Sequence, residues 1–326
     1  MSATRTEAPA ESGPALAADA LVKRFGKNEA VRGISFSIGR GELYGLVGPD
    51  GAGKTTTMRM LAGLVRPSGG AVRVLGVDPF GKQSSRVRDA LGLVPQEHSL
   101  YGDLSIEENL DFFRHLYGLS AADYASRRGR LLEITRLAPF LSRRASQLSG
   151  GMYKKLALSC ALLHQPEVLL LDEPTNGVDP VSRRELWELI YEFVGQGMCV
   201  VVSTPYMDEA SRCHRVALVH AGQILREGAP GDLVRQFPGV TAELEGGDRE
   251  ALHTMVATLP EIVAASPAGA KLRVVVAPGG EAAVTAKAAA LGARLVPSPP
   301  DFEDLFLYEI AVATHAAAAA PPKEAA

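Results

Sequence analysis

The sequence predicts an α/β fold built on a mostly parallel sheet, and three observations carry that prediction. Short apolar runs alternate with amphipathic helical stretches through most of the 326 residues, the order that a parallel sheet requires. The apolar run 43–47 leads into Gly48-Pro49-Asp50-Gly51-Ala52-Gly53-Lys54-Thr55, after which Met58, Leu61, Ala62 and Leu64 recur at helical spacing. A second run, Val168-Leu169-Leu170-Leu171, is apolar throughout and ends in Asp172-Glu173. A strand buried on both faces reads this way, with its polar residues at the carboxyl edge where open α/β sheets place ligands.

The glycine stretch fits Gly-x4-Gly-Lys-[Ser/Thr] in the strand–loop–helix context of a phosphate-binding loop. Its glycines let successive N–H groups turn inward around phosphate oxygens, and the loop ends at a helix N-terminus that favours an anion. Gly48, Pro49, Asp50, Gly51, Ala52, Gly53, Lys54, Thr55 and the adjoining Thr56 are the phosphate-contacting candidates. Lys54 is expected to reach the β and γ phosphates, and Thr55 to place its hydroxyl on Mg2+.

Composition narrows the function. A hydrophobic content of 46% and a net charge of -3 describe a globular chain without the basic footprint of a nucleic-acid binder. Cys160, Cys199 and Cys213 show no metal-like spacing and read as packing residues of a reducing compartment. No apolar run approaches the roughly 20 residues of a bilayer span. Residues 1–15 carry no apolar core of a signal peptide and are expected to be a flexible tail.

Taken in order, residues 21–25 and 31–36 flank the turn Gly26-Lys27-Asn28 and predict an antiparallel edge. Ser68-Gly69-Gly70 ends the first helix, and runs 71–75 and 91–95 resume strand, the latter closing at Gln96. Ser105 and Glu108 have capping-box spacing ahead of Ile106, Leu110, Phe113 and Tyr117, so a helix is predicted over 105–116. Another follows over 121–137, and a third opens at Met152 behind Ser149-Gly150-Gly151, stopped by Gln165-Pro166. Helices between core strands predict a helical subdomain over about residues 100–165. After the strand ending at Asp172 come a helix bearing Leu186, Leu189, Ile190, Phe193 and Val194, a strand over 199–203, a short helix from Met207, two strands and a helix to Phe237. Pro238-Gly239 marks a boundary. Beyond it the order strand, helix, strand, strand, helix, strand is close to a split βαββαβ layout, followed by a helix from Phe302. The predicted domains are thus 16–237 and a small α+β appendage over 238–312. The alanine-rich stretch 313–326 is expected to be disordered.

A phosphate loop, then Leu148-Ser149-Gly150-Gly151 before a helix, then an apolar strand ending Asp172-Glu173 is a specific combination. Over residues 16–237 it resembles the P-loop ATP-binding subunits of ABC transporters. Residues 48–55 match that family's Walker A, Gln96 its Q-loop, 148–152 its signature, 168–173 its Walker B and 176–179 its D-loop. Met152 stands where the signature commonly has Gln, a variant similar to drug-exporter ATPases of the ABC-2 type. The ending Phe302-Glu303-Asp304-Leu305-Phe306 is similar to the appendage of those exporters. Pro205, in the segment 203–210 that looks like the switch region, stands where the switch histidine would be.

The resemblance implies a cytosolic ATPase on the inner face of the cell membrane, pairing with a second ATPase subunit around ATP and Mg2+ and driving a separate integral-membrane permease. Asp172, Thr55 and Gln96 are then the metal-site residues, while Glu173, Gln96 and Lys54 are the catalytic ones. Phe25 resembles the aromatic that stacks on adenine. Ser149, Gly150, Gly151 and Asp179 would meet nucleotide held by the opposing subunit. Two alternatives stay open: a soluble ATPase of this type uncoupled from transport, and a nucleotide-gated module with very slow hydrolysis, for which Pro205 speaks. Thr204 and His98 are the candidates to replace the switch histidine.

Overall fold

The computed structural model describes residues 13–97 and 99–319, so His98, most of the expected N-terminal tail and residues 320–326 lie outside it. The described chain divides into two compact units that do not follow chain order: one comprises the chain through Tyr44, Gly53–Ser203 and Ala221–Gln223, the other Gly45–Ala52, Thr204–His220 and the chain from Ile224.

The first unit opens with β1 (Leu16–Phe25) and β2 (Asn28–Ile38), joined through the Gly26 turn. They pair antiparallel as expected, and β1 also pairs with β4 (Gly69–Val74), giving the order β2-β1-β4. Both strands are longer than their period-2 signal. The register shifts after Ala18, where Ala20 has φ 46°, and such a bulge breaks the alternation that a strand is read from. β3 (Leu43–Val47), buried at every position, leads through the glycine loop to α1 (Lys54–Leu61). α2 (Ser84–Ala90) left no sequence signal because Val87 is its one buried residue.

β5 (Leu91–Val94) pairs parallel with β6 (Val168–Asp172), and β6 parallel with β7 (Cys199–Thr204), the arrangement that continuous apolar runs predict. Between β5 and β6 stand α3 (Ile106–Leu116), α4 (Ala121–Thr135) and α5 (Gly150–Leu162). Serine begins each of them: Ser105 in a complete capping box with Glu108, Ser120 accepting from Asp123 N, and Ser149 accepting from Met152 N. α5 is buried almost all round from Lys154 onward, and α3, α4 and α6 (Pro180–Gly195) pack on it, making it the pillar of the helical subdomain.

In the second unit the end of β3 neighbours β8 (Arg215–His220), followed by β9 (Gln223–Gly228); α7 (Met207–Ala210) precedes them and α8 (Pro230–Arg235) follows. The chain then forms β10 (Val240–Gly246), α9 (Arg249–Thr258), β11 (Ile262–Ala268), β12 (Lys271–Val276), α10 (Glu281–Ala290) and β13 (Ala293–Pro297). Their antiparallel order β11-β12-β10-β13 is that of a split βαββαβ sheet, and its core joins Ala242, Leu244, Leu272, Val274 and Val276 to Leu252, Met255, Val284 and Ala288 of the two helices.

α11 (Phe302–Ala319) packs on β11 and α8. Buried Asp304 fastens it by a bidentate pair with Arg273 of β12, at 2.8 Å to Nε and 2.5 Å to Nη2. The ending over residues 302–306 thus has a structural role in its own chain. The disorder expected from residue 313 is corrected for residues 313–319, which continue the helix. Alanine has the strongest helix propensity, so a composition read as low complexity also extends a helix that packing has already nucleated.

Candidate functional site

β3 delivers the chain into the phosphate loop, and backbone crowding explains its glycines. A Cβ on Gly48 would stand 2.1 Å from Val219 O, and one on Gly53 2.5 Å from Ala30 O. Gly51 and Gly53 have φ of 78° and 102°, which other residues adopt only with strain. Ala52 N donates to Pro49 O at 3.2 Å, closing the turn. No side chain caps α1 at Gly53, the arrangement in which the first N–H groups of a helix serve an anion.

The carboxyl end of β6 gathers five of the predicted residues in the first unit. Thr55 Oγ1 donates to Asp172 Oδ1 at 3.2 Å, and Ser203 of β7 donates to the same oxygen. Glu173, buried, has φ 48°; its N–H donates to Ser203 O at 3.1 Å. A non-glycine residue held in that region is strain that the surroundings must offset, a pattern that clusters at functional sites. Gln96 Nε2 donates to Glu173 Oε2 at 2.8 Å, Asn176 Nδ2 lies 3.4 Å from that oxygen, and Lys54 Nζ lies 3.8 Å from Oε1. Lys54 is itself buried, so its charge acts at low dielectric.

This arrangement fits the phosphates of a nucleotide with a hard divalent cation. The loop offers a backbone cradle that side chains would fill, while Thr55 and Asp172 bring a hydroxyl and a carboxylate oxygen together. Among the described residues no three His, Cys, Asp or Glu side chains cluster as an all-protein metal cage.

The signature residues form a second grouping with the start of α6. A Cβ on Gly150 would meet Gly177 O at 2.6 Å, and one on Gly151 would meet Ser182 Cβ at 2.3 Å. Asp179 caps α6, accepting from Val181 N and Ser182 N at 3.0 Å; a hydrogen bond from the Ser182 side chain, followed by these backbone bonds, holds its carboxyl below the ordinary aspartate pKa. Ser149 and Gly150 are exposed. At the end of β1, Phe25 leaves 51% of its surface exposed with Lys23 Nζ 4.9 Å from its ring centroid, so it is no core phenylalanine.

Beside Pro205, Thr204 Oγ1 donates its proton to buried Glu209 at 2.7 Å and accepts from Tyr206 N at 3.0 Å, so it is engaged within its own turn. His98, the other candidate, lies outside the described residues. Sequence reasoning missed Ser203, Asn176 and Lys154. Asn176 and Ser203 lay within recognised motifs, whereas a lysine inside a helix carries no local signal.

The family model described as ABC transporter matches residues 31–176. The probable multidrug ABC transporter ATP-binding protein YbhF of Escherichia coli is 47% identical over 67% of this chain, which spans 38% of that protein's length. The Nod factor export ATP-binding protein I of Paraburkholderia xenovorans is 40% identical over 74% of this chain and 80% of its own. A solved structure described as the ATP binding subunit of an ABC transporter superposes with a TM-score of 0.63 at 32% identity, over 68% of this chain and 92% of that one. With phosphate loop, acidic strand end and signature all present in the family's order, the chain belongs to the ABC transporter family.

Proposed function

We propose that this chain hydrolyses MgATP as one of a pair of ATPase subunits and drives export through a separate membrane-embedded subunit. The observation that carries the reading is the meeting of Gln96, Lys54 and Glu173 beside the Thr55–Asp172 pair. The loop from Gly48 to Thr56 holds the phosphates, and Lys54 neutralises the terminal ones. Thr55, Asp172 and Gln96 hold Mg2+, which when bound shields phosphate charge. Glu173 accepts hydrogen-bonded water and polarises it toward the γ-phosphate, and the Gln96 amide orients the Glu173 carboxylate. Phe25 offers an exposed ring for the adenine face.

Pairing of two copies is supported by the exposed Ser149 and Gly150 at the N-terminus of α5, a surface suited to phosphate held by a second copy. Among the described residues no helix is long and apolar enough to cross a membrane; the proposed pathway is that of the membrane-embedded subunit. Exposed Tyr101 and Phe112, stacked edge-on at 4.6 Å, together with Leu116, offer that subunit an apolar docking face on the helical subdomain. The proposed place of action is the inner membrane face, with residues 238–312 as an appendage. Both relatives described above carry export or multidrug transport in their names. The nucleotide-gated alternative keeps one specific support, Pro205 with its neighbour Thr204 engaged elsewhere.

Sedimentation of Glu173→Gln with and without MgATP tests the reading. The expected result is a nucleotide-dependent dimer with hydrolysis near background. A monomer at saturating MgATP would overturn the shared site.

A further inference from the structure

Lys154 belongs to none of the motifs that the sequence displays, yet it lies at the centre of the site's wiring. It sits in the second turn of α5 with 9% of its surface exposed. Its Nζ donates to the backbone carbonyl of Gln96 at 3.1 Å and to that of Glu173 at 3.5 Å. Burial lowers its pKa from the ordinary lysine value, while the charges of Asp172 and Glu173 favour the proton. An ammonium buried against two neutral carbonyls is a costly way to fill space, and an apolar side chain of similar volume would do so at lower cost.

The two carbonyls belong to the two residues whose side chains meet. Lys154 Nζ, the Gln96 backbone, the Gln96 amide, the Glu173 carboxylate and the Glu173 backbone therefore close a ring. The ring includes the peptide at which Glu173 has φ 48°, a conformation that needs outside support. The neighbouring Tyr153 secures the far side of the segment: its hydroxyl accepts from Ser99 N at 3.0 Å and Leu100 N at 3.1 Å.

We propose that Lys154 is a positioning residue for ATP hydrolysis, tying the backbones of Gln96 and Glu173 to the signature helix so that the Gln96 amide stays on the Glu173 carboxylate. The proposal rests on the reading of Glu173 as the group that polarises water. In this role Lys154 touches no substrate, so its loss should change turnover and spare nucleotide binding.

The test is a double-mutant cycle on the full chain with steady-state ATPase, equilibrium ATP binding and urea unfolding for wild type, Lys154→Met, Gln96→Ala and the double variant. Lys154→Met is expected to lower kcat about 10-fold or more, the scale of a lost hydrogen bond to a charged group, with ATP affinity unchanged. In the Gln96→Ala background the same substitution should cost less than about 3-fold, because the amide that Lys154 positions is already gone. An unchanged kcat, an effect on KM alone, or losses that multiply in the double variant would each overturn the proposal. If Lys154→Met does not fold, the cycle is run with Lys154→Gln, which is neutral but polar, against the same outcomes. Glu173→Gln assayed alongside separates the two readings: wild-type hydrolysis in that variant sinks the assignment of Glu173 itself, whereas background hydrolysis there leaves the Lys154 result to stand or fall alone.

Discussion

Gln96 and Glu173, 77 residues apart in sequence, meet through a 2.8 Å hydrogen bond from the glutamine amide to the glutamate carboxylate. This bond links the end of β5 to the end of β6, and so the segment entering the helical subdomain to the residue proposed to polarise water. Removing it with Gln96→Ala should lower kcat about 10- to 150-fold, the scale of a hydrogen bond to a charged group. Glu173→Gln should fall further, to background, because the acceptor for water's proton is lost. Steady-state ATPase with ATP affinity measured in parallel checks both; unchanged turnover in Gln96→Ala would show that the contact plays no part in hydrolysis.

Lys54→Ala is expected to act on binding. A buried ammonium at the start of α1 would make charge-assisted contacts with phosphate, so ATP affinity should fall by about 10- to 150-fold. Equilibrium titration with a fluorescent ATP analogue measures the loss. An affinity within about 3-fold of wild type would place the phosphate elsewhere.

Much of this site was legible because its residues sit at strand and helix ends, where local pattern marks a change of element. The run Val168 to Leu171 announced a buried strand, so Asp172 and Glu173 had to emerge at its carboxyl edge. The Ser105–Glu108 spacing likewise announced a capping box that the structure contains. What stayed hidden depends on contacts between distant segments. Ser203 owes its importance to Asp172, 31 residues away, and Lys154 to Gln96, 58 residues away. A lysine in a helix ordinarily faces water, so nothing local marked this one as buried. α2 was lost for a related reason, a single buried residue leaving no periodicity to read.

The signature motif makes Gly151 a candidate to meet nucleotide on an opposing subunit, and the fold adds a packing reason for glycine there. A Cβ there would stand 2.3 Å from Ser182 Cβ, so Gly151→Ala should destabilise the chain by about 1–3 kcal/mol through overpacking. Combining it with Ser182→Gly removes the clash and should recover most of the loss. Urea unfolding of the single and double variants decides; equal destabilisation in both would mean that Ser182 is not the obstacle.

The three cysteines are buried, and burial pushes the thiol pKa of Cys199 and Cys213 to about 12 and that of Cys160 upward as well. The thiolate is the reactive form, so at pH 8 the native chain should resist iodoacetamide while urea-unfolded chain labels at all three positions. Mass spectrometry of tryptic peptides reads the outcome. Rapid labelling of Cys160 in the native chain would show that α5 opens, because its neighbours bury it completely.

Pro205 supports the sharpest prediction about rate. It follows β7, has no side-chain donor and no backbone N–H, and so supplies no hydrogen bond to a γ-phosphate. The neighbouring Thr204 holds its proton on Glu209. A histidine donor at this position would contribute a bond to a charged group, so Pro205→His should raise kcat by about 10- to 150-fold if the new side chain reaches the phosphate. Proline also fixes φ, and a histidine free to adopt another backbone conformation could miss the site. A third variant, Pro205→Ala, separates these effects because it releases φ without adding a donor. Faster turnover in Pro205→His than in Pro205→Ala, at equal ATP affinity and equal stability, is the expected result. Equal rates in all three chains would show that position 205 does not limit hydrolysis. A gain shared by Pro205→Ala and Pro205→His would instead assign the limit to the rigidity that proline imposes at the end of β7.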